Sequence, residues 1–247
     1  MMVGFDRTSA GDNSSVEKIT SSTSPEHLDA RDFGAVEPEA QHLENMGRTN
    51  HLGYKDRPLA EFRTTKENEF IEPKIATYPV EPFENPRRLV ERTNPNFGDP
   101  SASYDRNCAD CARSFERSWR GDFEEAAGRS PQMTSTGEYM PIGESSGMTE
   151  EWAGERLRDV YGADDLRTML SQSGHGSSAI VHTRFMDEDG ASGAHAYNVV
   201  NHHGKIEVCD PQIGEVFGWA QNTIHPKLGP HAEHTAMAWD AQGNRTW

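Results

Sequence analysis

The chain has 247 residues, 34% hydrophobic and 26% charged, enough for one ordinary domain plus an appendage but polar for a fully globular protein. Lys and Arg total 24 against 40 Asp and Glu, a formal net charge of -16 with no basic tract set against it, so nucleic acid is excluded as the expected partner. No apolar run approaches the roughly 18 residues of a membrane span, "MMVGFDRTSAGDNSS" lacks the apolar centre of a Sec-type signal peptide, and three cysteines are too few for a disulfide framework.

From residue 1 to 54 the chain is rich in Ser, Thr, Glu, Asp and Asn with isolated apolar residues, and it is read as a disordered acidic and polar arm. Residues 55–85 carry repeated prolines, as in "EPKIATYPVEPFENP", and read as a linker into a domain spanning 86–247. In "NCADCARSFERSWRG", Asn107 is a good N-cap, Cys111, Ala112, Phe115 and Trp119 follow at helical spacing, and Gly121 ends the pattern. Segment 122–147 is Gly- and Ser-rich and reads as a long connection, either lining a cleft or forming a surface insertion. A second helical region is expected from Thr149 through "TEEWAGERLRDVYG", with Trp152, Leu157, Val160 and Tyr161 on one side, continued by "DDLRTMLSQ" after Gly162. Strand patterns follow in "SSAIVHTRF", "AHAYNVVN", "KIEVCD", "GEVFGWA" and "HTAMAWD". Helices first and an antiparallel sheet afterwards indicate an α+β domain.

The two cysteines of the helix have different prospects. Cys108 occupies its first position, where unpaired N–H groups and the positive end of the macrodipole favour a thiolate and a neighbouring oxyanion. Asp110 works against that thiolate unless it points to solvent. Cys111 lies on the apolar stripe, where a free cysteine behaves as a small inert hydrophobe. A nucleophilic cysteine needs a base and an orienting group, and "AHAYNVVNHHGKIEVCDPQ" contains both. With a His203-Gly204 loop, Asp210 lies opposite Tyr197 and diagonal to His195, while Gln212 faces His195; with a His202-His203 loop, His195 falls opposite Asp210. Either register puts His195 and Asp210 on one face, whereas a three-residue loop without a bulge separates them. A Cys on a helix start with a His and an Asp on adjacent strands is the layout of a Cys-His-Asp hydrolase.

The stretches "NPNFGDPSASYDRNCADC", "GAHAYNVVNHHGKIEVCDPQIG" and "TAMAWD" resemble the papain-fold toxin domain associated with protein-glutamine deamidase activity in bacterial polymorphic toxins and effectors, over roughly residues 86 to 242. The sequence departs from that family in reading "GAH" before the strand, where the family has "GH". The resemblance implies a papain-like cysteine hydrolase fold, with a helix carrying the nucleophile packed on an antiparallel sheet. It implies Cys108 as nucleophile, His195 as base and Asp210 as third member. Asn107 and Gln212, the latter in a "D-x-Q" pattern, are candidates for positioning the substrate or its oxyanion. The implied reaction is deamidation of a glutamine side chain on a target protein, with no metal or organic cofactor required. A cognate immunity protein and delivery into a target cell by a route without a Sec signal are further implications. Proteolysis and transglutamination use the same three residues.

A non-catalytic zinc or protein-binding module is the alternative from another class. It would pair Cys108 and Cys111 with Cys209, or with His202 and His203, but the chain offers no second compact ligand pair. Cys209, His175, His182, His225, His231 and His234 read as packing or surface residues. Trp119 and Trp152 read as core.

Overall fold

A computed structural model describes residues 58–66, 68–71, 78–99, 103–186, 192–219, 224–228 and 232–247; the arm expected over 1–54 and His231 lie outside them. In chain order the elements are α1 (Leu59–Thr64), β1 (Phe70–Ile71), β2 (Tyr78–Pro79), α2 (Pro86–Thr93), α3 (Cys108–Trp119), β3 (Asp122–Phe123), β4 (Gly128–Arg129), β5 (Pro131–Met133) and β6 (Tyr139–Pro141). There follow α4 (Ser146–Ala153), β7 (Arg158–Val160), α5 (Ala163–Ser173), β8 (Ser178–Met186), β9 (Ser192–His202), β10 (Lys205–Asp210), β11 (Glu215–Gly218) and β12 (Glu233–Trp239).

The last six strands form one sheet in the order β11-β10-β9-β8-β12-β7, with every pairing antiparallel. Alternation along the long strands sorts side chains to two faces. On one face Ile180, Ala196, Met237 and Trp239 meet Cys108, Ala109 and Ala112 of α3 together with Trp152, and further along Val200 and Cys209 meet Phe115, Trp119 and Leu89. On the other, Ala179, Val181, Tyr197, Val199, Val208 and Ala236 pack against Leu166 and Leu170 of α5. The fold is thus the mixed helix and antiparallel-sheet arrangement expected, with α3 and α5 on opposite faces. Trp119 and Trp152 are both in the core.

Three segments differ from their sequence reading. Residues 59–64, inside the expected linker, form α1, whose Leu59 and Phe62 are fully buried. The helical region expected to run on past Trp152 stops at Ala153, because Gly154 takes a left-handed φ of 68° and Leu157 N–H is drawn to the Glu150 carboxylate at 2.8 Å. Residues 158–160 then pair with β12 at the sheet edge, which leaves Tyr161 exposed instead of on an apolar stripe. The 122–147 connection carries four short strands, and Phe123, Ala126, Ala127, Arg129 and Glu144 within it are buried.

Candidate functional site

Helix α3 begins at Cys108, and Asn107 occupies the N-cap position without making a side-chain cap. Its amide faces inward instead: Nδ2 donates to Asn94 Oδ1 at 3.1 Å and to the Ala127 carbonyl at 2.9 Å, while Oδ1 accepts from Gln212 Nε2 at 3.4 Å. The first-turn N–H groups, which have no intrahelical partner, are therefore left uncapped by Asn107. Cys108 is 7% exposed while Cys111 and Cys209 are 0% exposed, so Cys108 is the one of the three cysteines with any access to solvent. Burial first, then the carboxylate of Asp110, drives the Cys111 thiol well above its ordinary range. Burial and Glu207 do the same to Cys209, which fits the packing roles read for both.

His195 and Asp210 come from the hairpin of β9 and β10. Its tip is the two-residue turn His203-Gly204, both with positive φ (52° and 85°), the geometry whose twist matches a tight hairpin. His202 pairs with Lys205, and the ladder runs to Asn198 opposite Cys209. This is the first of the two registers, with Asp210 facing Tyr197 diagonally across from His195. Because β10 ends at Asp210, the first half of β9 has a strand neighbour only in β8, and Cys108 and Ala109 at the start of α3 pack with Ala196 of that half. His195 Nε2 lies 2.7 Å from Asp210 Oδ2. Cys108 lies near enough to raise the proton affinity of the His195 imidazole.

The electrostatics follow from this geometry. Burial opposes charge on His195, but the Asp210 carboxylate, its hydrogen bond and Cys108 outweigh it and push the imidazole up to about 9. Burial would raise Asp210, yet His195 and His225 hold it below the usual carboxylate range. Asp110, whose charge threatened a thiolate two residues away, does not point to solvent. It is fully buried between Arg63 Nη2 at 2.6 Å and Arg113 Nη2 at 3.0 Å, and it also accepts Ala127 N–H at 2.8 Å. Arg113 is paired in turn with buried Glu144 at 2.6 Å. Two guanidinium groups thus neutralise the carboxylate that the sequence left unpaired.

Of the histidines read as packing or surface residues, His225 is fully buried with Nε2 3.1 Å from Asp210 Oδ2. It follows β11 in a segment with no periodicity, so no sequence signal pointed to it. His182 on β8, opposite Ala196, is bonded to Thr149 Oγ1 at 3.1 Å, and burial with Arg113 nearby lowers it to about 3. A cavity of about 630 Å³ lies along β7, β8 and β12, with His182, Thr183, Arg184 and His234 in its wall; Cys108, His195 and Asp210 do not line it. Among the described residues, His195, Asp210 and His225 form the one His/Cys/Asp/Glu group whose ligand atoms fall within 4.8 Å of one another. Hydrogen bonds account for that closeness. The cysteine-based zinc set is not brought together among the described residues: Cys209 lies with Phe115, Trp119 and Val200, while at the hairpin tip His203 stacks on His175 and His202 lies tilted beside it.

Residues 106–215 match the model of the family described as papain fold toxin 1, glutamine deamidase, and this span contains Cys108, His195 and Asp210. Comparison with curated proteins gives no match. Two solved structures of variants of the Salmonella effector SpvD are similar in outline. One aligns with a TM-score of 0.46 at 11% identity, covering 83% of this chain and 97% of the effector. The other aligns with a TM-score of 0.40 at 14% identity, covering 81% and 98%.

Proposed function

Taking as premise the match of residues 106–215 to the papain fold toxin 1, glutamine deamidase family, we propose that the protein deamidates a glutamine side chain of a target protein by a Cys108-His195-Asp210 mechanism. The observation that carries this reading is the buried His195–Asp210 pair at 2.7 Å, with Cys108 at a helix N-terminus acting on the same imidazole. The Cys108 thiolate attacks the side-chain carbonyl carbon, forming a C–S bond and moving the carbonyl electrons onto oxygen. First-turn N–H groups of α3 stabilise that oxyanion. As it collapses the C–N bond breaks, and His195, which Asp210 keeps protonated near neutral pH, gives its proton to the departing nitrogen to release ammonia. Neutral His195 then takes a proton from water as hydroxide adds to the thioester, and collapse expels the Cys108 thiolate and leaves glutamate. Asn107 and Gln212, both buried and joined to each other, hold the helix start against the end of β10.

Replacing a neutral amide with a carboxylate removes a donor and adds charge at the target surface, which suffices to disturb an interface. Delivery into a target cell and neutralisation by a cognate immunity protein in the producer belong to the same proposal. The test is mass spectrometry of proteins incubated with the chain and with Cys108→Ala. A gain of about one mass unit at a glutamine, present only with wild type, is expected. Cleaved peptides or Gln-Lys cross-links would reassign the reaction to proteolysis or transglutamination with the same residues. Identical products from wild type and Cys108→Ala would overturn the nucleophile.

A further inference from the structure

We propose that His225 is a positioning residue for this reaction, a neutral donor that anchors the Asp210 carboxylate and so governs its grip on His195; the inference rests on the reading of Cys108, His195 and Asp210 given above. Asp210 is the last residue of β10, beyond the final ladder pair with β9, so its side chain cannot rely on a full strand environment for its aim. Three donors supply that aim. Oδ2 is shared by His195 Nε2 at 2.7 Å and His225 Nε2 at 3.1 Å, and Oδ1 accepts the Gln212 N–H at 3.2 Å.

The tautomer of His225 follows from its other nitrogen. Nδ1 lies 3.3 Å from the Lys227 backbone nitrogen, whose hydrogen can only be donated. Nδ1 therefore accepts, and the proton of the neutral ring sits on Nε2, aimed at Asp210. Burial keeps the ring neutral by lowering its affinity for a second proton. A charged ring would compete with the His195 imidazolium for the same oxygen, whereas a neutral one fixes the carboxylate and leaves its charge for His195. The ring is itself clamped, with centroids 4.8 Å from Tyr197 and 5.1 Å from Phe217. The segment that carries it is tied to β11 by Lys227 and Glu215 at 2.9 Å.

The experiment is the rate of Cys108 alkylation by iodoacetamide in the full chain between pH 5 and 10, followed at the peptide level with Cys111 as internal control. The forms compared are wild type, His225→Phe, His225→Gln, Asp210→Asn and the Asp210→Asn/His225→Phe double variant. Loss of one hydrogen bond to a charged group predicts that His225→Phe slows alkylation near neutral pH roughly ten- to a hundredfold and displaces the alkaline limb that reports His195. His225→Gln keeps an N–H donor and is expected to recover most of the rate. In the Asp210→Asn background His225→Phe should change the rate less than about twofold, because its effect runs through that carboxylate. A wild-type profile in His225→Phe, or its full effect in the Asp210→Asn background, overturns the inference. Wild-type Cys108 alkylating no faster than Cys111 would instead remove the thiol–imidazole reading beneath it. Should the His225 variants fail to fold, ring ¹⁵N shifts of the wild type decide: a neutral Nε2–H tautomer at pH 7 upholds the assignment, and an Nδ1–H or charged ring refutes it.

Discussion

Asp110 and His195 show how a single side chain's meaning depends on what surrounds it. On the helix alone Asp110 opposes a thiolate, yet Arg63 and Arg113 turn it into the centre of a buried ionic cluster. His195 alone would be an ordinary strand histidine kept neutral by burial, and Asp210 reverses that by holding it near 9. A pKa raised above the unfolded value of roughly 6.5 stabilises the fold fully below that pH and loses the contribution as pH rises through about 9. Asp210, being depressed, contributes above roughly pH 4 and loses its share as pH falls toward its lower folded value. The thermal midpoint of wild type should therefore exceed that of Asp210→Asn at pH 7, with the gap narrowing toward pH 10. A gap that stays constant over that interval would mean that the pair is not charged in the folded protein.

At the scale of elements, α1 is the piece that the sequence concealed. Its six residues, LAEFRT, are too few to display a 3.6 period, and prolines surround them. Its place comes from contacts distant in sequence: Phe62 enters the α3–α4 core, and Arg63 reaches Asp110, Ser114 and the Glu125 carbonyl. Breaking a buried ion pair by removing one partner costs about 3–5 kcal/mol. Arg63→Ala should cost that order in urea denaturation, although Arg113 still meets Asp110. Arg63→Lys should fall between, since an ammonium cannot reproduce the forked contact to both oxygens. A loss below about 1 kcal/mol for Arg63→Ala would show that Arg113 alone suffices. By contrast α3 was legible to within one residue, because Asn107, the Cys111-Phe115-Trp119 stripe and Gly121 mark both ends and one face.

For the molecule as a whole, the antiparallel sheet carries α3 and α5 on its two faces, and α1 packs Leu59 and Phe62 into the α3 side. We propose that the folding unit begins before Leu59 and not at residue 86. A chain starting at residue 55 should keep the thermal midpoint of the full protein, whereas one starting at 86 loses the burial of Leu59 and Phe62 and the Arg63 pairing. That shorter chain should melt at least ~10 °C lower, given a deficit of several kcal/mol. Equal midpoints for the two would return α1 to the linker. Among the described residues no helix is long and apolar enough to cross a membrane.

What the sequence determined by itself were the features set by local spacing: the helix that starts at Cys108, the five long strand patterns, and a hairpin whose period of two puts His195 and Asp210 within reach of each other. Its resemblance to a papain-fold deamidase toxin is matched by the family model over residues 106–215. Only the tertiary structure decided the rest. It chose the His203-Gly204 turn from two registers that patterning allowed. It gave residues 158–160 to the sheet edge, where the side of β12 away from β8 offered them backbone partners. It also brought Arg63 to Asp110 and His225 to Asp210, contacts that leave no periodic trace because each joins a short segment to a distant carboxylate.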